Sequence, residues 1–518
     1  MQETMIRLAV PAKTSAIDDD IVVGKDVLEL VAGAMYADPL TVYREYIQNA
    51  ADAIDEARAA RLLTSGETPE VQITFDHANR SVRVRDIGVG VSNSDFVRRL
   101  TAVGASRKRG AKQRGFRGVG RLSGLGYCQE LVFRSRAKGD TKIKELSWDG
   151  RALRDKLRDP ALTGGLGELI RTIARVSTRS DDGTFPAHFF EVEMKKVVRI
   201  KNDLLMNEEE IRNYLSHVAP VPFHPDFKFG AQIRGQLAEQ GVSDPINIEL
   251  NDDRGVVYHR ITDRVESGRQ ASVDFSGAEF RTLTNSAGEV LAFGWLLEHG
   301  YLGAMPRGSR QGGIRLRTGD VQVGDANVLA PLFVEQRFSS WAVGELHVVH
   351  PKIVPNGRRD EFEHSAAYTE LQDELKRLTT EIAQTIRGRS DARQRERRLS
   401  ASIASAENWL DIAQRRTLHE TIRRAALQQA AEHVKSVEKQ LAKREADGLA
   451  QANLQRLHAQ VKRLDSNLEK KREGARTQGT TKGALAAVNA ILSSSLQAQK
   501  ALPMAERVIA AMEGRLNE

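Results

Sequence analysis

The chain's 518 residues correspond to roughly three to four domains at ~150 residues each, and its one cysteine, Cys128, excludes an internal disulfide or a cysteine-ligated zinc site. Lys and Arg number 77 against 69 Asp and Glu, a net +8 that permits nucleic-acid contact without requiring it. No apolar signal core opens the chain and no uncharged run approaches the ~18 residues that span a bilayer, so a cytoplasmic protein without membrane attachment is expected.

Residues 1–190 combine helical periodicity with short β-branched strands and carry most of the glycine clusters, the texture of a ligand-binding domain. In LTVYREYIQNAADAIDEARAA, Glu45, Asn49 and Asp52 stand at i, i+4 and i+7, within about 60° of one another on a helix. This polar face either meets solvent or aims into a pocket, where Asn49 can hold a magnesium ion and Glu45 can orient or deprotonate water. VQITFD and SVRVRDI predict strands, the second running into Asp86-Ile87-Gly88-Val89-Gly90. The glycines there let backbone approach a flat ligand and Asp86 can accept from an exocyclic amine, although D-x-G-x-G alone is also an ordinary turn. LTAVGASRKRGAKQRGFRGVGRLSGLGY then sets Gly104, Gly110, Gly115, Gly118, Gly120 and Gly124 among Arg and Lys, ahead of a predicted helix. Backbone amides suit phosphates there, and the cations suit a triphosphate or a solvated lid. The spacing matches neither a Walker A loop nor a dinucleotide fingerprint.

Residues 191–365 predict a second α+β domain: a helix over NEEEIRNYLSH, a Pro-rich turn APVPFHP, and strands GVVYHR, GGIRLRTGDVQVG and WAVGELHVVH. His347 and His350 lack metal spacing and Cys128 lacks a thiolate-stabilising neighbourhood, so all three are read as structural. From 366 to 518 proline vanishes until Pro503, while Ala, Gln, Glu, Arg and Leu dominate, predicting long helices. Tyr368, Leu371, Leu375, Leu378, Ile382 and Ile386 form one apolar stripe. A longer helix is expected over about 400–473, as a hairpin or a dimeric coiled coil, and Pro503 is expected to kink or divide the last helix. Residues 381–480 hold 21 Lys and Arg against 13 Asp and Glu, so any nucleic-acid contact is expected there.

The ordered series E-x-x-x-N-x-x-D, D-x-G-x-G, a basic segment ending in G-F-R-G-x-G, and Gly183-Thr184 resembles the GHKL ATPases, a superfamily that includes the 90-kDa heat-shock chaperone, gyrase B, MutL and MORC proteins. The first helix looks like the chaperone's, and the GFRG loop looks like the MutL and MORC version. The resemblance implies an α+β protein: a Bergerat-type ATP-binding sandwich in 1–190, a transducer-like middle domain in 191–365, and a coiled-coil region in 366–518. It implies ATP and Mg2+ as cofactors, with Asn49 on the metal, Glu45 activating water, Asp86 on the adenine amine and Asp52 supporting the adenine side. Gly88 and Gly90 would line base and ribose, Gly115, Gly118 and Gly120 the phosphates, and Thr184 would assist Asp86. IVPNGRRDEFE (353–363) looks like the chaperone's catalytic loop, which implies that Arg359 reaches the γ-phosphate on closure, with adjacent Arg358 as the substitute; Glu363 departs from the chaperone's glutamine. The implied activity is slow ATP hydrolysis by a homodimeric clamp acting, chaperone-like, on a protein client or partner. A nucleic-acid clamp of the MutL or MORC kind, and an ATP-dependent switch subunit of a bacterial multi-protein system such as a defence system, are the alternatives.

Overall fold

The computed structural model describes residues 38–63, 70–102, 120–158, 165–251, 254–265, 272–442, 448–474, 481–494 and 498–514. The chain divides into two compact units, 1–384 and 385–518. Helix α1 (Thr41–Ala59) opens the described part of the first. Asp38 starts it: its carboxylate accepts from the Leu40 N–H at 3.0 Å and its carbonyl from the Thr41 hydroxyl at 2.6 Å, a turn that replaces a side-chain N-cap. Val42, Tyr43, Ile47, Ala50, Ile54 and Ala57 are buried, so the apolar spacing of the sequence becomes one packed face.

That face belongs to the core of a seven-stranded sheet made by β1 (Val71–Asp76), β2 (Ser81–Asp86), β3 (Glu130–Arg136), β4 (Lys142–Asp149), β5 (Ala174–Ser180), β6 (Phe189–Lys195) and β7 (Ile248–Leu250). Their order is β5-β4-β3-β6-β2-β1-β7. Short helices α2 (Phe96–Thr101), α3 (Gly150–Arg158) and α4 (Leu166–Ile173) lie between strands, and α5 (Glu208–Val218) and α6 (Gly230–Glu239) follow β6. Strand alternation sorts the faces. Val82 and Val84 point into the core, whereas Arg83 and Arg85 point outward to Glu191 and Glu193, which also hold Arg134 at 2.7 Å. Asp86 ends the inward row, so the period that buries two valines also carries a carboxyl to the core side.

The first core runs past the boundary expected at 190. β7 pairs parallel with β1, Val71 opposite Ile248, and Ile211, Leu215 and Val218 of α5 belong to the same apolar cluster. A second sheet is formed by β10 (Gly277–Thr284), β11 (Val290–Glu298), β12 (Gly313–Thr318), β13 (Val321–Val323) and β14 (Val343–Val348) in the order β10-β11-β14-β12-β13. β8 (Arg264–Val265) and β9 (Val273–Asp274) form a separate ribbon. GVVYHR does not form a strand: Val257 donates to the Ile248 carbonyl and His259 to that of Pro222, so its hydrogen bonds are divided between two neighbours.

Helix α7 (Ala366–Gln414) begins where Ser365 Oγ accepts from the Tyr368 N–H at 3.1 Å, and all six residues of its predicted stripe are buried. The helix expected over 400–473 is instead three pieces: the end of α7, α8 (Glu420–Leu441) and α9 (Gly448–Gly474). His419 makes the first break by accepting from the Thr421 N–H through Nδ1 at 3.2 Å. With α10 (Thr481–Ser494) and α11 (Ala498–Gly514) these form an intrachain bundle, in which Trp409, Ile422, Ala426, Leu457, Val488 and Ile509 share one core. Many apolar residues of the second unit thus pack on one another within the chain, as the hairpin alternative expects. Pro503 lies inside α11, and the last helical stretch divides between Ser494 and Ala498.

Candidate nucleotide site

Three elements converge on one side of α1. Glu45 and Asn49 are half-buried there and Asp52 is buried. At one end a Cβ on Gly120, the first residue of the 3-10 turn Gly120–Gly126, would overlap the Glu45 carboxylate. The Gly124 N–H fixes this turn on the helix by donating to the Tyr46 hydroxyl at 3.1 Å. At the other end Val89 donates to the Ala53 carbonyl at 3.2 Å, and a Cβ on Gly88 would stand 2.5 Å from that of Ala53. Only glycine permits the approach to Ala53, whereas a side chain at Gly120 would displace the Glu45 carboxylate. The nine residues from 45 to 53 rise about 12 Å, so the two approaches bound a stretch of the α1 face of that length.

Asp86 sits at the Gly88 end, 4% exposed, and accepts from the Gly88 N–H at 2.9 Å. Burial pushes its carboxyl up to about 8, against the opposing pull of the Gly88 and Phe190 N–H groups. A ligand amine donating to it would favour the charged form. Gly90 holds φ +66° with the Arg136 carbonyl so close that any side chain would overlap it.

The other expected residues divide. Thr184 is exposed, and its hydroxyl donates to Asp182 at 2.5 Å in the loop before β6. The residue brought against Gly88 is His188, whose Nδ1 lies 2.8 Å from the Gly88 carbonyl and must donate, because a carbonyl oxygen only accepts. Sequence reading missed it. No local period marks it, because His188 lies just outside β6 (Phe189–Lys195). Gly115 and Gly118 lie outside the described residues, whose flanks are joined where the Arg121 guanidinium donates to the Ala102 carbonyl.

Arg44 was also overlooked. It is buried, 3.7 Å from the Glu45 carboxylate, and donates to the Arg358 carbonyl at 3.0 Å. The loop carrying Arg358 and Arg359 is therefore docked on the residue that precedes Glu45. Arg359 is 5% exposed and holds φ +56°, with its N–H on the Asn356 carbonyl at 3.1 Å and its carbonyl taken by the Gly324 N–H at 2.8 Å. Left-handed backbone at a non-glycine residue, held from both sides, is the kind of strain found at functional loops. Arg44, Arg358 and Arg359 all border a cleft of about 1310 Å3. Cys128 is buried, its thiol donating to the Gly124 carbonyl at 3.1 Å and pushed up to about 12 by burial.

Residues 39–160 match the family described as histidine kinase-, DNA gyrase B-, and HSP90-like ATPase. That segment, about a quarter of the chain, thus resembles the ATPase domain of the GHKL superfamily, whose members bind ATP, generally with magnesium. Within that class it resembles the chaperone protein HtpG. The HtpG of Coxiella burnetii is 28% identical over 142 residues, 24% of this chain and 22% of that protein. That of Klebsiella pneumoniae is 25% identical over 209 residues, 37% of this chain and 30% of that protein. That of Polaromonas naphthalenivorans is 28% identical over 138 residues, 23% and 22% of the two chains. The chain therefore spans between a fifth and a third of the length of these relatives. Among the described residues no helix is long and apolar enough to cross a membrane.

Proposed function

We propose that this protein is a slow, conformationally coupled ATPase that works as a nucleotide-gated homodimeric clamp, chaperone-like in its action on a protein client. The observation that carries the site is the α1 groove, with Gly120 against Glu45 at one end and Gly88 and Asp86 beside Ala53 at the other. The residues fit magnesium-bound ATP. Asp86 accepts from the adenine amine, Gly88 and Gly90 leave room for base and ribose, and Asn49 holds the metal, with Gly120 beside the phosphates. An ion shared between Asn49 and phosphate oxygens needs no all-protein cage of ligands. Bound magnesium would neutralise phosphate charge. Glu45 orients and deprotonates the attacking water, and Arg359 stabilises charge on the transferred phosphoryl when its loop closes toward the groove. The Arg44 bond to the Arg358 carbonyl supports this coupling, because it ties the second sheet's loop to the residue beside Glu45.

A second reading, a nucleic-acid clamp, is favoured by one observation. Within α7, residues 387–398 carry six arginines against two acidic residues and are exposed on nearly every side. One experiment tests both: steady-state ATP turnover of wild type and Glu45→Ala, each with and without duplex DNA. The ATPase reading expects Glu45→Ala to retain ATP binding and lose turnover by about 100-fold or more; unchanged turnover would sink it. Stimulation by DNA that vanishes in Glu45→Ala would select the nucleic-acid clamp over the chaperone-like reading.

A further inference from the structure

The second sheet carries a buried layer of charge where its alternation would place apolar side chains. Arg315 and Arg317 of β12 and Glu345 and His347 of β14 share one face, with Arg315 opposite Glu345 and Arg317 opposite His347. None of the four is more than 3% exposed. Glu345 accepts from Arg317 at 2.7 Å and from His259 Nε2 at 2.9 Å. The Ile261 N–H donates to His259 Nδ1 at 3.3 Å, which leaves the imidazole proton on Nε2. Burial pushes His259 down and His347 to about 3, so both are neutral. Burial also opposes the Glu345 charge, but Arg317 and His259 outweigh it and hold the carboxyl well below its ordinary range. Ion pairs this deep are a poor way to stabilise a fold, because their desolvation costs several kcal/mol per ion. Two members of this network, Glu345 and His259, line an open cavity, and that placement points to binding.

That cavity measures about 370 Å3, a volume suited to one small molecule. Its wall is apolar and aromatic: Phe223 lies 5.5 Å, centroid to centroid, from Phe227 and 4.8 Å from His259, with Pro222 beside them. Its floor presents His259, Glu345, Asp320 and Arg234. Arg234 gives Nη2 to the carbonyls of Val242 and Ser243 at 2.7 and 2.9 Å and stands 3.8 Å from Asp320, yet its Nε is buried without a hydrogen-bond partner. A buried donor left unsatisfied is costly, and an acceptor supplied by a ligand removes the cost.

We propose that this cavity is a binding site, separate from the nucleotide groove, for a small uncharged aromatic molecule carrying an acceptor next to a donor, such as an aryl carboxamide or a heteroaromatic base. The ring packs against Phe223 and Phe227, the acceptor meets the Arg234 guanidinium where it lines the cavity, and the donor faces the carboxylates of Asp320 and Glu345. Charge is selected against in both directions: an anion meets Asp320 and Glu345, and a cation meets Arg234 and, behind Glu345, Arg317.

The probe is benzamide, titrated into the full chain by saturation-transfer NMR with MgATP at saturation, beside benzoate and benzamidine, which share its shape and carry opposite charges. The comparison variant is Ala231→Trp, which fills the rim from an exposed position on α6 and leaves the core untouched; its unchanged ATP turnover reports an intact fold. The expected result is saturable benzamide binding that persists with MgATP, weakens tenfold or more in Ala231→Trp, and exceeds that of either charged analogue at least tenfold. Absence of saturable binding, loss of it with MgATP, equal binding by Ala231→Trp, or equal affinity for benzoate or benzamidine would each overturn the assignment.

Discussion

Replacing Asp86 with asparagine tests the base end of the groove without adding or removing volume. Burial sets the folded carboxyl at about 8, against about 3.9 in an unfolded chain. For a carboxyl raised by folding, the stabilisation is fully present below the unfolded value and is lost as pH rises through the folded one. Between pH 5 and 7 the folded protein keeps a proton that the unfolded chain has released, so wild type should lose about 1.4 kcal/mol per pH unit relative to Asp86→Asn, or about 2–3 kcal/mol over that window. The assay is urea unfolding of the ligand-free proteins at pH 5, 6 and 7, read as the difference between the two. ATP supplies the complement. Because the adenine amine favours ionised Asp86, wild-type affinity should rise by up to tenfold per pH unit from 6 to 8, whereas Asp86→Asn, whose amide can present a donor to another donor, should bind ATP poorly at every pH. Parallel pH profiles for the two unfolding curves would refute the buried carboxyl, and undiminished ATP affinity in Asp86→Asn would refute its role at the base.

The contact between Gly88 and Ala53 leaves no space for a methyl group, so Gly88→Ala should cost about 1–3 kcal/mol in urea unfolding and weaken ATP binding as α1 is pushed from β2; no change in either would count against the packing described. Arg359→Ala should slow turnover on the order of 10³-fold with little change in ATP affinity, measured by single-turnover hydrolysis. Arg358→Ala should be much milder, because Arg44 is held by the Arg358 carbonyl and not by its side chain. A larger loss in Arg358→Ala would reverse the assignment.

Much of the groove was legible because it follows from local periods. Helical spacing alone puts Glu45, Asn49 and Asp52 on one side of α1, and strand alternation alone turns Asp86 inward behind Val82 and Val84. Thr184 was chosen by the order of motifs, and order does not say where a loop folds; its hydroxyl is on Asp182, while His188 faces Gly88 from 100 positions away. The tail was read with the right residue types and too few breaks. An apolar stripe specifies that it must be covered, not by which helix, so the same spacing serves an intrachain bundle as well as a coiled coil.

The sequence by itself determined the elements that repeat within a turn or a strand pair, because those depend on neighbours two to four residues apart: the α1 face, the inward Asp86, the glycines that leave room beside it, and the long helices after 366. Only the tertiary structure decided the contacts that close over long stretches of chain. Among these are β7 against β1, the Arg44 hold on the Arg358 carbonyl, and the charge layer around Glu345. No local spacing encodes them, since each partner's position depends on how whole sheets and helices pack.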